Sequence, residues 1–238
     1  MPRDLSVVFP RSFCPECGRQ IGWRDNVPVL SYVLLGGRCR ACKQPIGVRY
    51  PLIELITALL FTGVALRYGW SWAAAKWAIL ESLMTILFWT DLEERILPDE
   101  LTIGGSVVGL ILGFLVPLPD IFGAFLPADM RIAWKSALSS MFAAAFFGLL
   151  FWGLARLYAL LRKREGLGLG DVKLLILLGA FFGLENGLLV LLIGTLGGTL
   201  LGSAEALVRR RELGTHEIPF GSFLCLGAAI VPFVHRMA

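Results

Sequence analysis

Charged residues are scarce in this 238-residue sequence, where Lys, Arg, Asp and Glu together make up only 17% of the chain. Soluble globular domains carry about 25% charged residues. Here 56% of the residues are hydrophobic even when glycine is left out. A body of this size cannot bury that much apolar surface, so a water-soluble globule is excluded. Intrinsic disorder is excluded because a disordered chain has few apolar residues.

Histidine is rarer still, with two residues in the whole chain. His216 is followed by Glu217, but no second histidine stands four residues after it, so the helical zinc-peptidase signature is absent. A Gly-x-Ser-x-Gly elbow is absent too, and both absences disfavour metallo- and serine-type hydrolysis. The first 12 residues lack an apolar core long enough for a signal peptide.

The sequence contains several long apolar stretches with few charged residues. Their apolar residues run continuously, which favours helices over a barrel, and a helix needs about 20 residues to cross a bilayer. We therefore predict an all-α polytopic membrane protein with about seven transmembrane helices. The fifth stretch is short and is expected to join the sixth through the turn Glu185-Asn186-Gly187. The seven stretches cover residues 52–69, 71–90, 101–117, 134–161, 172–184, 187–207 and 218–235.

Basic residues indicate how these helices are oriented. The loops on one side of the predicted bundle are rich in Arg and Lys, while the other side has few, and the side rich in basic residues is normally cytoplasmic. The asymmetry also explains the net charge of +4 without a nucleic-acid partner. The side predicted to be cytoplasmic holds Arg3, Arg11, Arg19, Arg24, Arg38, Arg40, Lys43, Arg49, Arg95, Arg162, Lys163, Arg164, Arg209, Arg210 and Arg211.

Four of the five cysteines lie in a polar, turn-rich segment over residues 13–50. They form two Cys-x-x-Cys pairs, Cys14 with Cys17 and Cys39 with Cys42. Such pairs at about this separation are typical of a four-thiolate zinc site, which is closed and therefore structural. Disulfides are the alternative, which a reducing cytoplasm disfavours. We predict a cytoplasmic zinc-ribbon-like module over residues 1–50 and a transmembrane helical domain over residues 51–238.

The basic residues around these cysteines leave two interpretations open. Zinc ribbons often bind nucleic acid, and Arg38, Arg40, Lys43 and Arg49 cluster here. A ribbon placed before a membrane bundle meets anionic lipid head groups, which explain the same charges. We therefore expect the lipid bilayer, and no nucleic acid, as the partner of this segment.

Two aspartates stand at opposite ends of one predicted cytoplasmic loop. Asp91 ends the second apolar stretch, where a carboxylate faces the negative end of the helix dipole and is unfavourable without a special reason. Asp99 follows Pro98 and precedes an apolar run, as an N-cap of the third helix would.

A third aspartate follows a glycine-rich segment. Gly166, Gly168 and Gly170 give a flexible backbone ahead of the helix that Asp171 begins, and Asp171 either caps that helix or takes part in chemistry. By the predicted topology, Asp91 and Asp171 lie at the same cytoplasmic membrane edge. Two carboxylates in a partly dry site do not both ionise readily, so one activates water while the other donates a proton, as in aspartic peptidases.

Several motifs in this order resemble the bacterial prepilin peptidases, also called type IV leader peptidases, of the GxGD aspartic proteases. The resemblance covers nearly the whole chain and rests on CPECG, CRAC, RYPLIE, DLEERILPD, GLGLGDVKL and IPFGSFLCLGA.

The resemblance implies that Asp91 and Asp171 are catalytic and that the four cysteines hold Zn²⁺. It implies cleavage of type IV prepilins and type II secretion pseudopilins on the cytoplasmic side of the bacterial inner membrane. Many members also methylate the new N-terminus with S-adenosylmethionine. Glu54 is a candidate for support of the zinc module or of methylation. The other candidate supporting residues are Gly168, Gly170, Lys173 and Asp99.

One departure from the family pattern concerns the N-terminus. Members with the cysteine module usually begin with a further membrane helix, so we expect either that the natural start lies upstream or that this member has seven helices instead of eight. A non-catalytic alternative is a zinc-ribbon scaffold that the helices anchor in the membrane. A transporter is disfavoured, because its carboxylates usually lie near the bilayer midplane in repeated halves.

Overall fold

The computed structural model describes residues 12–118, 120–163, 166–208 and 220–234, with side chains for all of these except 204–208. The basic run 209–211, His216, Glu217 and residues 1–11 lie outside the described residues. Within the described ranges, regular structure is helical apart from two isolated bridges, so the all-α prediction is confirmed. The α-helices are α1 Leu30–Leu34, α2 Arg49–Tyr68, α3 Trp72–Glu94, α4 Asp99–Leu115, α5 Ile132–Arg162, α6 Leu169–Val208 and α7 Phe220–Val234.

The chain forms two compact units, residues 1–62 and 63–238, and the boundary falls inside α2. In the first unit, a single antiparallel bridge closes each cysteine turn, Phe13 with Gln20 and Arg38 with Pro45. Short 3₁₀ and α turns join the two knuckles. The predicted domain boundary at residue 50 stays a prediction.

Local chemistry sets several helix ends in the second unit. The Ser71 hydroxyl accepts the Ala74 N–H at 3.1 Å and caps the start of α3. Arg95 adopts a left-handed conformation that ends α3, and Lys163 does the same after α5. Pro98 then starts α4, where its missing N–H costs nothing.

The second unit has a continuous apolar core between α3, α4, α5, α6 and α7. Among the described residues, three helical segments are long and apolar enough to cross a bilayer: Arg49–Tyr68, Ile132–Arg162 and Leu169–Ser203. A membrane protein is therefore confirmed, while the count of seven crossings stays a prediction. Fully buried core side chains include Trp77, Leu80, Leu174, Phe181, Val190, Leu224 and Val231.

Glycines let α4 pack closely on α6. A Cβ added at Gly105 would lie 2.7 Å from Leu177, and one added at Gly109 would lie 2.6 Å from Phe181. Both distances are below any normal carbon contact, so a larger residue at either position would force the side chains it meets on α6 to shift.

A break divides α6 at Gly183, which has φ 74° and ψ −168°. The Asp120 carboxylate accepts the N–H groups of Leu184 at 2.9 Å and Glu185 at 3.1 Å, so it caps the second arm from another segment. The predicted turn at Glu185-Asn186-Gly187 was wrong, because those residues are helical. The prediction placed the break a few residues late.

The second arm of α6 folds back along the first. On the first arm, Ile176 packs at Gly148 of α5, and Gly179 packs at Ala143, which is nearer the N-terminus of α5. Beyond the break, Gly187 packs at Phe147, so the chain runs back in the opposite direction along α5. The two arms therefore match the predicted fifth and sixth stretches.

Candidate active site and metal centre

Asp91 lies in the last turn of α3 and is only 6% exposed. Its backbone carbonyl accepts the N–H of Arg95, the left-handed residue that ends the helix. A buried carboxylate at this end of a helix opposes the helix dipole, so its partners decide whether it can carry a charge.

The partners of Asp91 come from the first turn of α7. The Ser222 backbone N–H donates to Asp91 Oδ2 at 2.5 Å, and the Ser222 hydroxyl lies 2.7 Å from the same oxygen. Gly221 makes this approach possible, because a Cβ there would stand 3.0 Å from Asp91 Oδ2. The positive end of α7 thus offsets the negative end of α3.

Asp171 lies in the first turn of α6 and is partly buried. Its carboxylate accepts the backbone N–H of Gly168. This is a capping interaction at the start of α6, one of the two roles that the sequence allowed for Asp171. The carboxyl group is also close enough to Asp91 for the two to repel each other electrostatically. The fold therefore brings the two predicted carboxylates together.

Leu97 packs between the helices that carry these groups. Its side chain lies 3.3 Å from the position a Cβ would take at Gly170 in α6, and 3.2 Å from that at Gly221 in α7. Leu97 is 9% exposed, and its side chain supplies an apolar wall beside the carboxylates. A side chain at Gly170 would therefore crowd Leu97 where α6 approaches the α3–α4 loop.

Asp99 begins α4 and pairs with Lys173. Both carboxylate oxygens accept from Lys173 Nζ, at 2.6 and 2.7 Å. The predicted N-cap was wrong, because Pro98 holds the N-cap position with no side-chain cap and Asp99 is already helical. The carboxylate instead faces Lys173, two residues beyond Asp171.

The four predicted cysteines form a cluster in the first unit. Their sulfur atoms all lie within 4.8 Å of one another, and Cys14 and Cys42 are 3.8 Å apart. In a tetrahedral zinc site with Zn–S bonds of about 2.3 Å, neighbouring sulfurs are roughly 3.8 Å apart. The cluster therefore fits a tetrahedral metal ion, and no disulfide is formed.

The two knuckles have the same backbone geometry. The residue after each second cysteine, Gly18 and Lys43, has positive φ and donates its N–H to the carbonyl of the first cysteine. Backbone N–H groups of Cys42 and Ala41 point at the Cys39 sulfur and lower the pKa of its thiol to about 6. Thiolates are the form that binds metal.

Two side-chain contacts tie the rest of this unit together. Glu54 in α2 accepts the backbone N–H of Val29 at 2.7 Å, and Val29 has the strained φ of 61°. Arg40 donates to both oxygens of Asp25, and this ion pair lowers the pKa of the Asp25 carboxyl. The contact of Glu54 lies inside the cysteine-bearing unit, and its expected roles, support of that module or of methylation, both stay predictions.

Sequence reasoning missed Ser222 as a partner of Asp91, and it passed over two buried charged residues in α3. Lys76 and Glu81 are fully buried, and no hydrogen-bond partner was found for either side-chain terminus within the described chain. The signal was present, since both are charged residues inside an apolar stretch, where such residues are rare and informative.

These features define a helical membrane protein with two carboxylates meeting between helix ends, together with a four-thiolate module. Residues 1–68 match the family described as Bacterial Peptidase A24 N-terminal domain, and residues 78–203 match the Type IV leader peptidase family. The chain belongs to the type IV leader peptidase family.

Several curated relatives share most of this chain and bear the name Prepilin leader peptidase/N-methyltransferase. The Pseudomonas aeruginosa protein is 37% identical over 94% of this chain and 72% of its own length. The Aeromonas hydrophila protein is 35% identical with the same coverage. The Myxococcus xanthus protein is 39% identical over 85% of this chain and 56% of its own length. No solved structure matches the chain.

Proposed function

We propose that this protein is an aspartic endopeptidase that removes the basic leader from type IV prepilins and type II secretion pseudopilins. The observation that carries the proposal is that Asp171, in the first turn of α6, lies close enough to Asp91, at the end of α3, for the two carboxylates to repel each other. Membership of the type IV leader peptidase family and the names of the relatives support the same activity.

The two carboxyl groups share one proton in the working state, because two neighbouring charges in a dry site repel each other. The ionised carboxylate takes a proton from water, and the resulting oxygen attacks the scissile carbonyl carbon. The protonated carboxyl gives its proton to the carbonyl oxygen. The pH response belongs to the pair as a whole.

The site faces the cytoplasm of the bacterial inner membrane in this proposal. The topology predicted from the sequence would put the basic loops on the same side as both aspartates, and basic loops are normally cytoplasmic, which supports this orientation. A substrate with a basic leader and an apolar helix would then place its cleavage site at the membrane edge.

The proposal includes a second activity, methylation of the new N-terminus with S-adenosylmethionine. It rests on the names of the relatives, which couple the two activities. Cys14, Cys17, Cys39 and Cys42 would hold zinc in a closed site, where the ion stabilises the fold and offers no position to a substrate.

The test is cleavage of a purified prepilin by the full chain in liposomes, with S-adenosylmethionine supplied and the product N-terminus identified by mass spectrometry. Asp91→Asn and Asp171→Asn should each lose roughly 10²–10⁴-fold in rate, since each removes a proton-transfer group. Asp129→Asn, an exposed carboxylate in another loop, is the matched control and should cut like the wild type.

Cleavage by both site variants at the wild-type rate would show that the aspartates only cap and end helices. The methylated product differs in mass from the unmethylated one, so the same spectrum reports the second activity separately. A cleaved but unmethylated product would remove only the methylation part of the proposal.

A further inference from the structure

Among the residues that the structure describes, more hydrogen-bond donors reach Asp91 than reach Asp171. Asp91 Oδ2 receives both the backbone N–H and the hydroxyl of Ser222, at 2.5 and 2.7 Å. Asp171 receives the backbone N–H of Gly168. The pair is therefore asymmetric.

The Ser222 hydroxyl has two possible acceptors, and the distances separate them. Its oxygen lies 3.4 Å from the Phe88 carbonyl oxygen and 2.7 Å from Asp91 Oδ2, so its proton points to the carboxylate. Ser222 is 2% exposed, so bulk water does not compete for this contact. Hydrogen bonds to an ionised group are about twice as strong as neutral ones.

The position of Ser222 in α7 also favours a negative charge on Asp91. Ser222 is in the first turn of α7, where N–H groups lack partners within the helix and the dipole favours a negative charge. Gly221 brings the Asp91 carboxylate against this turn, since any side chain there would crowd Oδ2.

We propose that Ser222 is a positioning residue that fixes Asp91 as the ionised member of the pair and leaves Asp171 as the proton donor. The assignment rests on the proposed function. Asp91 then takes one proton from water as the water oxygen bonds to the carbonyl carbon, and Asp171 gives its proton to the carbonyl oxygen. On collapse, the C–N bond breaks, Asp91 gives its proton to the leaving amine, and Asp171 regains one from the diol.

The assignment predicts where the acid side of the pH–rate profile lies. Titratable groups that interact with Asp91 across the helix contacts include Asp171 from α6 and the Cys225 thiol from α7. Asp91 must be ionised to activate water, and Ser222 stabilises that form. Loss of the Ser222 donors removes hydrogen bonds to that ionised form, so the acid limb of the cleavage rate should move to higher pH.

The experiment measures prepilin cleavage against pH for the full-length chain in liposomes. Ser222→Ala removes the hydroxyl and should move the acid limb up by about one pH unit, with a smaller change in rate at the optimum. Ser222→Pro removes the hydroxyl and the N–H at a first-turn position that tolerates proline, so its shift should be larger. Ser106→Ala is the control, because it removes a buried hydroxyl bonded only to the Thr102 carbonyl.

A graded shift in the two Ser222 variants, absent from Ser106→Ala, supports the assignment. Profiles of both Ser222 variants that superimpose on the wild type would overturn it, and so would an equal shift in Ser106→Ala. In either case, wild-type cleavage lost on Asp91→Asn would leave the proposed function standing. A wild type that cuts no prepilin would instead overturn the proposed function and this assignment with it.

Discussion

Each of the two units of this chain is stabilised by a different kind of interaction. Over residues 12–48 only Cys14 and Ser31 are buried, and large side chains such as Trp23 and Leu34 are each 74% exposed. In the second unit Trp77, Leu80 and Phe181 are completely buried among neighbouring helices. A segment without an apolar core needs another source of stability, and a metal ion held by the four cysteines would supply it. The helical unit is stabilised by packing instead.

The largest expected effect is the loss of metal from the cysteine cluster. Structural zinc sites contribute about 10–16 kcal/mol of binding free energy at neutral pH, which is also folding free energy. A strong chelator, or Cys39→Ser, should abolish amide-exchange protection over residues 12–48 while α3 to α7 stay protected. Hydrogen exchange read by mass spectrometry, together with zinc analysis, measures both units at once.

The matched control for metal loss is Cys225→Ser. Cys225 is buried in α7, outside the cluster, and should leave the zinc content unchanged. If the module kept its protection after zinc was stripped, its fold would not depend on metal, and the contrast between the two units would disappear.

The next effect tests the packing of the helical unit. A Cβ at Gly179 would lie 2.7 Å from the Ala144 backbone nitrogen and 2.8 Å from the Ala143 carbonyl, and backbone atoms cannot move aside cheaply. Gly179→Ala should lower the free energy of unfolding by about 1–3 kcal/mol. Gly153→Ala, which meets nothing within 4 Å, should raise it by up to about 1 kcal/mol. Thermal unfolding in detergent compares them, and equal midpoints would argue against close packing of α5 on α6.

The smallest effect concerns the break in α6. Asp120→Ala removes the side-chain acceptor from Leu184 and Glu185 and should cost about 1 kcal/mol, as the loss of a helix cap usually does. Asp120→Asn keeps one acceptor oxygen and should cost less. Faster amide exchange at residues 184 and 185 in Asp120→Ala is the measurement, and unchanged exchange there would show that Gly183 breaks the helix without help.

The sequence was sufficient where the relevant residues are close together in it. Each cysteine pair occupies one tight turn, so the ligand spacing alone predicted the cluster. Asp91 and Asp171 are far apart in the sequence, yet each stands in a recognisable motif at a helix end. Their common position on the side of the basic loops stays a prediction.

The sequence was insufficient where a distant segment decides a local conformation. Asp99 has the pattern of an N-cap, but Lys173 of α6 provides a stronger partner for its carboxylate. Gly183 breaks α6 at the point where Asp120 caps the next arm. Ser222 is a single serine in an apolar stretch, and it contacts Asp91 only because α7 packs against α3. Packing between helices produces each of these contacts, and no local sequence pattern predicts them.

The break at Gly183 also has a consequence for the lipid around the protein. The first arm of α6, Leu169 to Phe182, has about 14 residues and is therefore ~21 Å long. The hydrocarbon layer of a bilayer is roughly 30 Å thick. If this arm crosses the membrane, lipid beside it must thin by several ångströms, or its ends must sink below the surface. Either adjustment would bring head groups and water inward toward Asp171, into a depression of the membrane surface around the start of α6.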